Sequence, residues 1–157
     1  MKSIKPNQKE TQEDLKLPTI FLAGSIEMGN AEGWQARVEE ELSEMSVTVF
    51  NPRRDDWDSS WIQRETNPEF NYQVNWELDH LELADIIFIY FSGDTMSPIS
   101  LLELGMFARG KNMIVCCPTN FWRRGNVEIV CSRAGLPIFD DLNQAIASLK
   151  SRIKSIL

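Results

Sequence analysis

The chain has 157 residues, with 16 Lys and Arg against 23 Asp and Glu, a formal net charge of −7. That is the size of one ordinary domain, and the acidity argues against a nucleic-acid backbone or an anionic membrane surface as partner. Hydrophobic residues make up 43% and aromatics 10%, enough to bury a sizeable core and to exclude general disorder; the longest apolar run, Ile86 to Phe91, is six residues and too short to span a bilayer.

Residues 1–17 are polar, rich in Lys, Glu and Gln and without periodicity, and read as a mobile arm ahead of an α/β domain over 18–157. The first residues, Met1 to Pro6, lack the apolar stretch of a signal peptide, so the expected location is the cytoplasm. Thr19 to Ala23 is a short β-prone run stopped by Gly24-Ser25. From Glu32 to Met45, Trp34, Val38 and Leu42 recur every four residues and predict an amphipathic helix. Val47 to Phe50 is a second strand, ended by Asn51-Pro52. The long connection from Arg53 to Phe70 is functional or hides a short helix, and Asn71 to Leu83 carries the helical stripe Val74, Leu78, Leu81.

Ile86 to Tyr90 is the next strand. Ser97-Pro98 reads as a helix start, with Ser as N-cap and Pro at the first position, and the helix should reach about Arg109. Met113 to Cys116 is a fourth strand, Gly125 to Arg133 a helix, Pro137 to Phe139 a short fifth strand, and Asp140 or Asp141 caps a last helix to Leu157. Strands alternating with helices, each strand apolar on both faces, predict a five-stranded parallel sheet covered by helices on both sides. In such a sheet ligands bind beyond the carboxyl ends of the strands.

Several residues fall on that edge. Gly24-Ser25 opens a glycine-containing loop to Gly29 that matches no phosphate-binding fingerprint, so a plain turn and a ligand loop both remain open. Glu103 lies in a helix that is apolar on nearly every side, where a buried carboxylate is costly unless something uses it; the alternative is a structural Glu bonded to backbone or to an arginine. From Glu65 to Ala108 there are eight acids and no Lys or Arg. Crowded carboxylates repel, and one of a close pair then keeps its proton to higher pH, which is how a site obtains one ionised nucleophile and one acid. Asp79 and Glu82 fit a solvated face instead. The arginine pairs Arg53-Arg54 and Arg123-Arg124 each follow a strand, and either bind an anion or form surface salt bridges, with Asp55, Asp56 and Asp58 close to the first. Trp57, Trp61, Trp76 and Trp122 offer flat faces for a ring or for core packing. The three cysteines, Cys116, Cys117 and Cys131, and the single His80 make neither a disulfide framework nor a zinc site, and no metal or organic cofactor is expected.

Phe21 to Ser25, Glu77 eight residues ahead of Asp85, Ser97, and Leu102-Glu103-Leu104-Gly105 together resemble the nucleoside 2-deoxyribosyltransferase family. Asn51-Pro52-Arg53-Arg54 and Arg124-Gly125-Asn126-Val127 are similar to segments of its deoxyribosyltransferase-like subgroup, and the resemblance runs from about Thr19 to Phe139. It implies a flavodoxin-like domain that cleaves the N-glycosidic bond of 2′-deoxynucleosides. It also implies Glu103 as the nucleophile that takes the deoxyribosyl group, Glu77 as the residue that exchanges a proton with the base, and Asn126 near the sugar of a neighbouring subunit's site. Gly24, Ser25, Ser97, Arg53 and Arg123 complete the expected substrate-binding set. The expected partners are a small deoxynucleoside or deoxynucleotide, a free base and further copies of the chain, with no nucleic-acid polymer and no membrane. The chain departs from the family at Phe21, where characterised transferases carry Tyr, at Glu77, where they carry Asp, and at Ser97, which resembles the related deoxynucleotide N-glycosidases. A nucleophilic carboxylate with an acid partner is the logic of retaining glycosidases. A deoxynucleoside 5′-monophosphate N-glycosidase and a non-catalytic nucleotide-binding domain are the competing readings.

Overall fold

The computed structural model describes residues 1–26, 33–54, 58 and 60–157. Strands β1 (Lys2–Ile4), β2 (Thr19–Gly24), β3 (Thr48–Phe50), β4 (Ile86–Tyr90), β5 (Met113–Cys116) and β6 (Ile138–Phe139) lie side by side in the order β1-β3-β2-β4-β5-β6, every pair parallel. Helices α1 (Trp34–Leu42), α2 (Pro68–Leu83), α3 (Pro98–Phe107), α4 (Arg124–Ala134) and α5 (Leu142–Ile156) connect them or follow them.

Successive strand residues point to opposite faces, and both faces here are dry. Ile20, Leu22, Ile86, Phe88, Ile114 and Cys116 pack with Trp34, Val38 and Leu42 of α1 and with Ala145, Ile146, Leu149 and Ile153 of α5. Phe21, Ala23, Ile87, Ile89, Met113 and Val115 face Trp76 and Leu81 of α2, Leu104 and Phe107 of α3, and Val127 and Cys131 of α4. The expected parallel sheet with helices on both sides is present, and leaving β1 aside its order is that of flavodoxin-like folds. All three cysteines are buried and unpaired, and desolvation pushes their thiols up to about 12, 12 and 11 for Cys116, Cys117 and Cys131.

The strand count is corrected from five to six. The added strand, β1, comes from residues 1–17, the segment expected as a mobile arm. It pairs with β3 in register Lys2 to Thr48 and Ile4 to Phe50, and Ile4 is fully buried. The rest of the segment is tied down by polar contacts. Asp14 accepts from Lys2 Nζ at 2.6 Å and from Thr11, which hold its carboxyl down at about 2. Tyr72 donates to the Pro6 carbonyl at 2.5 Å, and His80 Nε2 lies 3.4 Å from Glu10. A three-residue strand with one apolar side chain carries no readable period, so tertiary partners decide it.

Two of the five α-helices, α2 and α5, start at a side-chain cap. Asn67 accepts from the N–H groups of Glu69 and Phe70 and Pro68 takes the first position, so α2 begins inside the segment expected as a long connection. Asp141 caps α5 in the same way. Ser97 does precede α3, but it makes no side-chain cap; its backbone is left-handed, at φ 44°, and its hydroxyl is used elsewhere. No helix among the described residues is long and apolar enough to cross a membrane.

Candidate active site

Strand β2 pairs with β3 on one side and β4 on the other, so the order of the sheet reverses there and a crevice opens beyond the strand ends. At that point Gly24 has φ +141°, and a Cβ on it would stand 2.2 Å from the Tyr90 carbonyl oxygen. Only glycine lets β2 close on β4. Ser25 then donates its N–H to Tyr90 O at 2.9 Å and turns its side chain under the loop after β4. Its hydroxyl lies 2.9 Å from Thr95 Oγ1 and 2.6 Å from Ser97 Oγ, which are 2.7 Å from each other, and it accepts the Ser92 N–H at 2.9 Å. The three hydroxyl residues are buried. Ser25 and Ser97 are thus brought together, and Thr95 joins them. The sequence signal for Thr95 was only its place in a strand-end loop.

Helices α2 and α3 bring the two candidate catalytic acids to the same layer. Gln73, Trp76, Glu77 and His80 share one face of α2 by i, i+3, i+4, i+7 spacing, and that face looks onto the sheet. Trp76 stacks on His80 with ring centroids 4.0 Å apart and sits 6.3 Å from Phe21. Phe21, which replaces the family's tyrosine, is fully buried there. His80 Nδ1 contacts the Trp76 carbonyl at 2.7 Å. Gln73 Nε2 donates to Glu77 Oε1 at 2.6 Å and to the Pro52 carbonyl at 3.1 Å. Two buried atoms on this face, Gln73 Oε1 and Trp76 Nε1, have no hydrogen-bond partner among the described residues.

Glu103 lies on the buried face of α3 with Ser100, Leu104 and Phe107 and is 7% exposed. Burial pushes its carboxyl up to about 8, and the charge of Glu77 adds to the rise. Burial also pushes Glu77 up, to about 7, against the pull of the Gln73 amide. The two carboxyls are therefore electrostatically coupled across α2 and α3, and both are raised toward neutrality. A coupled pair of this kind can share one proton, which leaves one carboxylate beside one acid.

The remaining expected residues sit on other segments. Arg123 and Asn126 line a cleft of about 310 Å³ with Leu101, Leu104, Gly105, Val127 and Val130, between α3 and α4. Arg123 stacks over Trp122, 4.2 Å from its ring centroid, and Trp122 Nε1 donates to Met96 O at 3.0 Å. Arg124 serves the fold, bonding Glu128 and Asp140 at 2.7 Å each. Arg53 is exposed, with its N–H on Asn51 Oδ1, and Arg54 stands 3.9 Å from Glu69 and over the Trp61 ring. The loop to Gly29 beyond Ile26, and Asp55, Asp56 and Trp57, lie outside the described residues. Among the described residues no three His, Cys, Asp or Glu side chains cluster as metal ligands. Sequence reasoning missed Gln73 altogether; its signal was the four-residue spacing to Glu77.

The fold and this edge define a flavodoxin-like α/β protein with an acidic pair at its switch point. The chain belongs to the family described as nucleoside 2-deoxyribosyltransferase like, whose model matches residues 17–121. No curated protein matches the chain. Eleven solved chains do. One, described as a conserved protein from Enterococcus faecalis V583, superposes with a TM-score of 0.66 at 10% identity, over 87% of this chain and 99% of that one. At that identity the likeness shows the fold.

Proposed function

We propose that this protein breaks the N-glycosidic bond of a 2′-deoxynucleoside, with Glu103 as nucleophile and Glu77 as the group that gives the base its proton. The observation that carries the reading is the buried, coupled carboxyl pair on α2 and α3, in a chain of this family. Both groups titrate near neutrality, so one can be ionised while the other is protonated at a working pH. In the first step a Glu103 oxygen bonds to C1′, the bond from C1′ to the base nitrogen breaks, and the base takes the Glu77 proton. Water or a second base then takes the sugar from Glu103, with Glu77 as proton acceptor.

The test is incubation with a deoxynucleoside panel and a second base, followed by chromatography for released or exchanged base. Glu103→Ala is expected to lose all turnover while keeping its fold, and trapping in the parent to leave a deoxyribosyl adduct on Glu103 alone. Full activity in the variant would sink the assignment. Glu77→Gln should lose most on natural substrates and least on one with an activated leaving group, which needs no proton.

A 5′-monophosphate substrate is the second reading, favoured by the Ser25–Thr95–Ser97 hydroxyl cluster at the switch point and by Arg123 in its cleft. Guanidinium binds phosphate in bidentate fashion. Against it stand the buried acids and Asn126, which resembles the nucleoside enzymes. Comparing a deoxynucleoside with its 5′-monophosphate, in the parent and in Arg123→Ala, decides between them. A monophosphate preferred about tenfold or more, worth about 1.4 kcal/mol, and lost in the variant would replace the nucleoside reading.

A further inference from the structure

Gln73 stands one helical turn before Glu77 on α2, is 4% exposed, and has both N–H groups engaged. One goes to the Pro52 carbonyl at 3.1 Å and the other to Glu77 Oε1 at 2.6 Å, while Oε1 of the same amide has no partner among the described residues. Turning the amide over would set its oxygen against the Pro52 carbonyl, an acceptor that cannot donate, whether or not Glu77 carried a proton. The orientation is therefore locked by the backbone at Pro52. A buried acceptor left bare is costly, and the fold carries that cost while keeping both N–H groups in place.

We propose that Gln73 is a positioning residue that holds the carboxylate Glu77 becomes once its proton has passed to the departing base. This rests on the roles given above to Glu77 and Glu103. When the Glu103 oxygen bonds to C1′ and the C1′–N bond breaks, the electron pair goes to the base and the Glu77 proton neutralises it. Glu103 is then an uncharged ester and Glu77 a buried anion. A fixed N–H donor aimed at that anion makes Glu77 a stronger acid in the first step, and holds it in place to take a proton in the second. Among the described residues, the groups on neighbouring elements do not supply this. Glu103 on α3 opposes the charge, Arg54 after β3 engages Glu69, and His80 on α2 engages the Trp76 carbonyl and Glu10. The bond also pulls Glu77 downward against its burial.

The test titrates protein with 13C-labelled Glu carboxyls by NMR, with the two signals assigned from Glu77→Gln and Glu103→Gln. In Gln73→Met, which keeps the length and loses the amide, the Glu77 midpoint should move up by about one pH unit, a tenfold change in acid strength. The Glu103 midpoint should move down, because its neighbour stays neutral longer. Turnover of a natural deoxynucleoside should fall about tenfold in kcat with KM little changed, and a substrate with an activated leaving group should be spared. Gln73→Glu, nearly isosteric, serves if the Met variant does not fold, with the same direction expected. A Glu77 midpoint that stays put in a folded variant overturns the proposal. If the parent turns over no deoxynucleoside at all, the catalytic reading itself fails, and the titration, which needs no substrate, tells the two failures apart.

Discussion

Glu103 and Glu77 hold their protons to higher pH in the folded chain than unfolded, where a Glu titrates near 4.5. Between that value and the raised ones the folded state binds more protons, so stability falls as pH rises. The contribution is fully present below about 4.5 and is lost as pH passes the folded values of about 7 and about 8. Each pH unit is about 1.4 kcal/mol, so Glu103 alone costs on the order of 5 kcal/mol above pH 9. Glu103→Gln should therefore melt close to the parent at pH 4 and roughly 10 °C above it at pH 9. A difference that does not change with pH would mean that Glu103 is not desolvated. On the proposed function both groups, raised toward neutrality, should give kcat/KM a bell-shaped pH profile with its maximum above the usual carboxylate range, which a pH–rate profile checks.

At the scale of elements, β1 and α2 decide how the acids are held. β1 closes the edge of the sheet beside β3, and the chain after it runs to contacts with Tyr72 and His80 on α2, the helix that carries Gln73 and Glu77. Ile4 is the one apolar anchor of β1 and is fully buried. Ile4→Ala should cost roughly 2–5 kcal/mol, read as a fall in Tm, whereas a segment that were only a mobile arm would show no change. The period-two strands β2, β4 and β5 were legible in the sequence because both faces are apolar and each run ends in a turn residue. The start of α2 was not, because its first turn, Pro68-Glu69-Phe70, has no stripe and is set by the Asn67 cap.

For the molecule as a unit, the faces of α3 and α4 turned from the sheet matter most. Ile99, Leu102, Met106 and Ile129 are exposed by 60%, 58%, 53% and 63%, an apolar surface beside the cleft that holds Arg123 and Asn126. On the proposed function, Asn126 serves the carboxyl pair of a second copy packed against this surface. A homo-oligomer packed through α3 and α4 is expected, and light scattering should show Leu102→Glu shifting it to monomer with a loss of turnover. A monomeric parent would remove Asn126 from the site.

The sequence by itself determined the parallel sheet, because runs such as Ile86 to Tyr90 have nowhere to go but between two layers of helices. It also marked Glu103, because a lone carboxyl in an apolar helix must be buried or used. Local pattern could not say how that carboxyl would be held. The coupling of Glu77 to Glu103 joins residues 26 apart in the chain, and the Ser25–Thr95–Ser97 cluster spans as many as 72. The hold of Gln73 on Glu77 needs a carbonyl, at Pro52, from another element. Ser97 shows the limit most directly: read locally it is a helix cap, but a left-handed backbone and two partner hydroxyls take its side chain into the crevice instead. Burial, charge coupling and the satisfaction of polar groups depend on what lies opposite in space, and only the packed tertiary structure decides that.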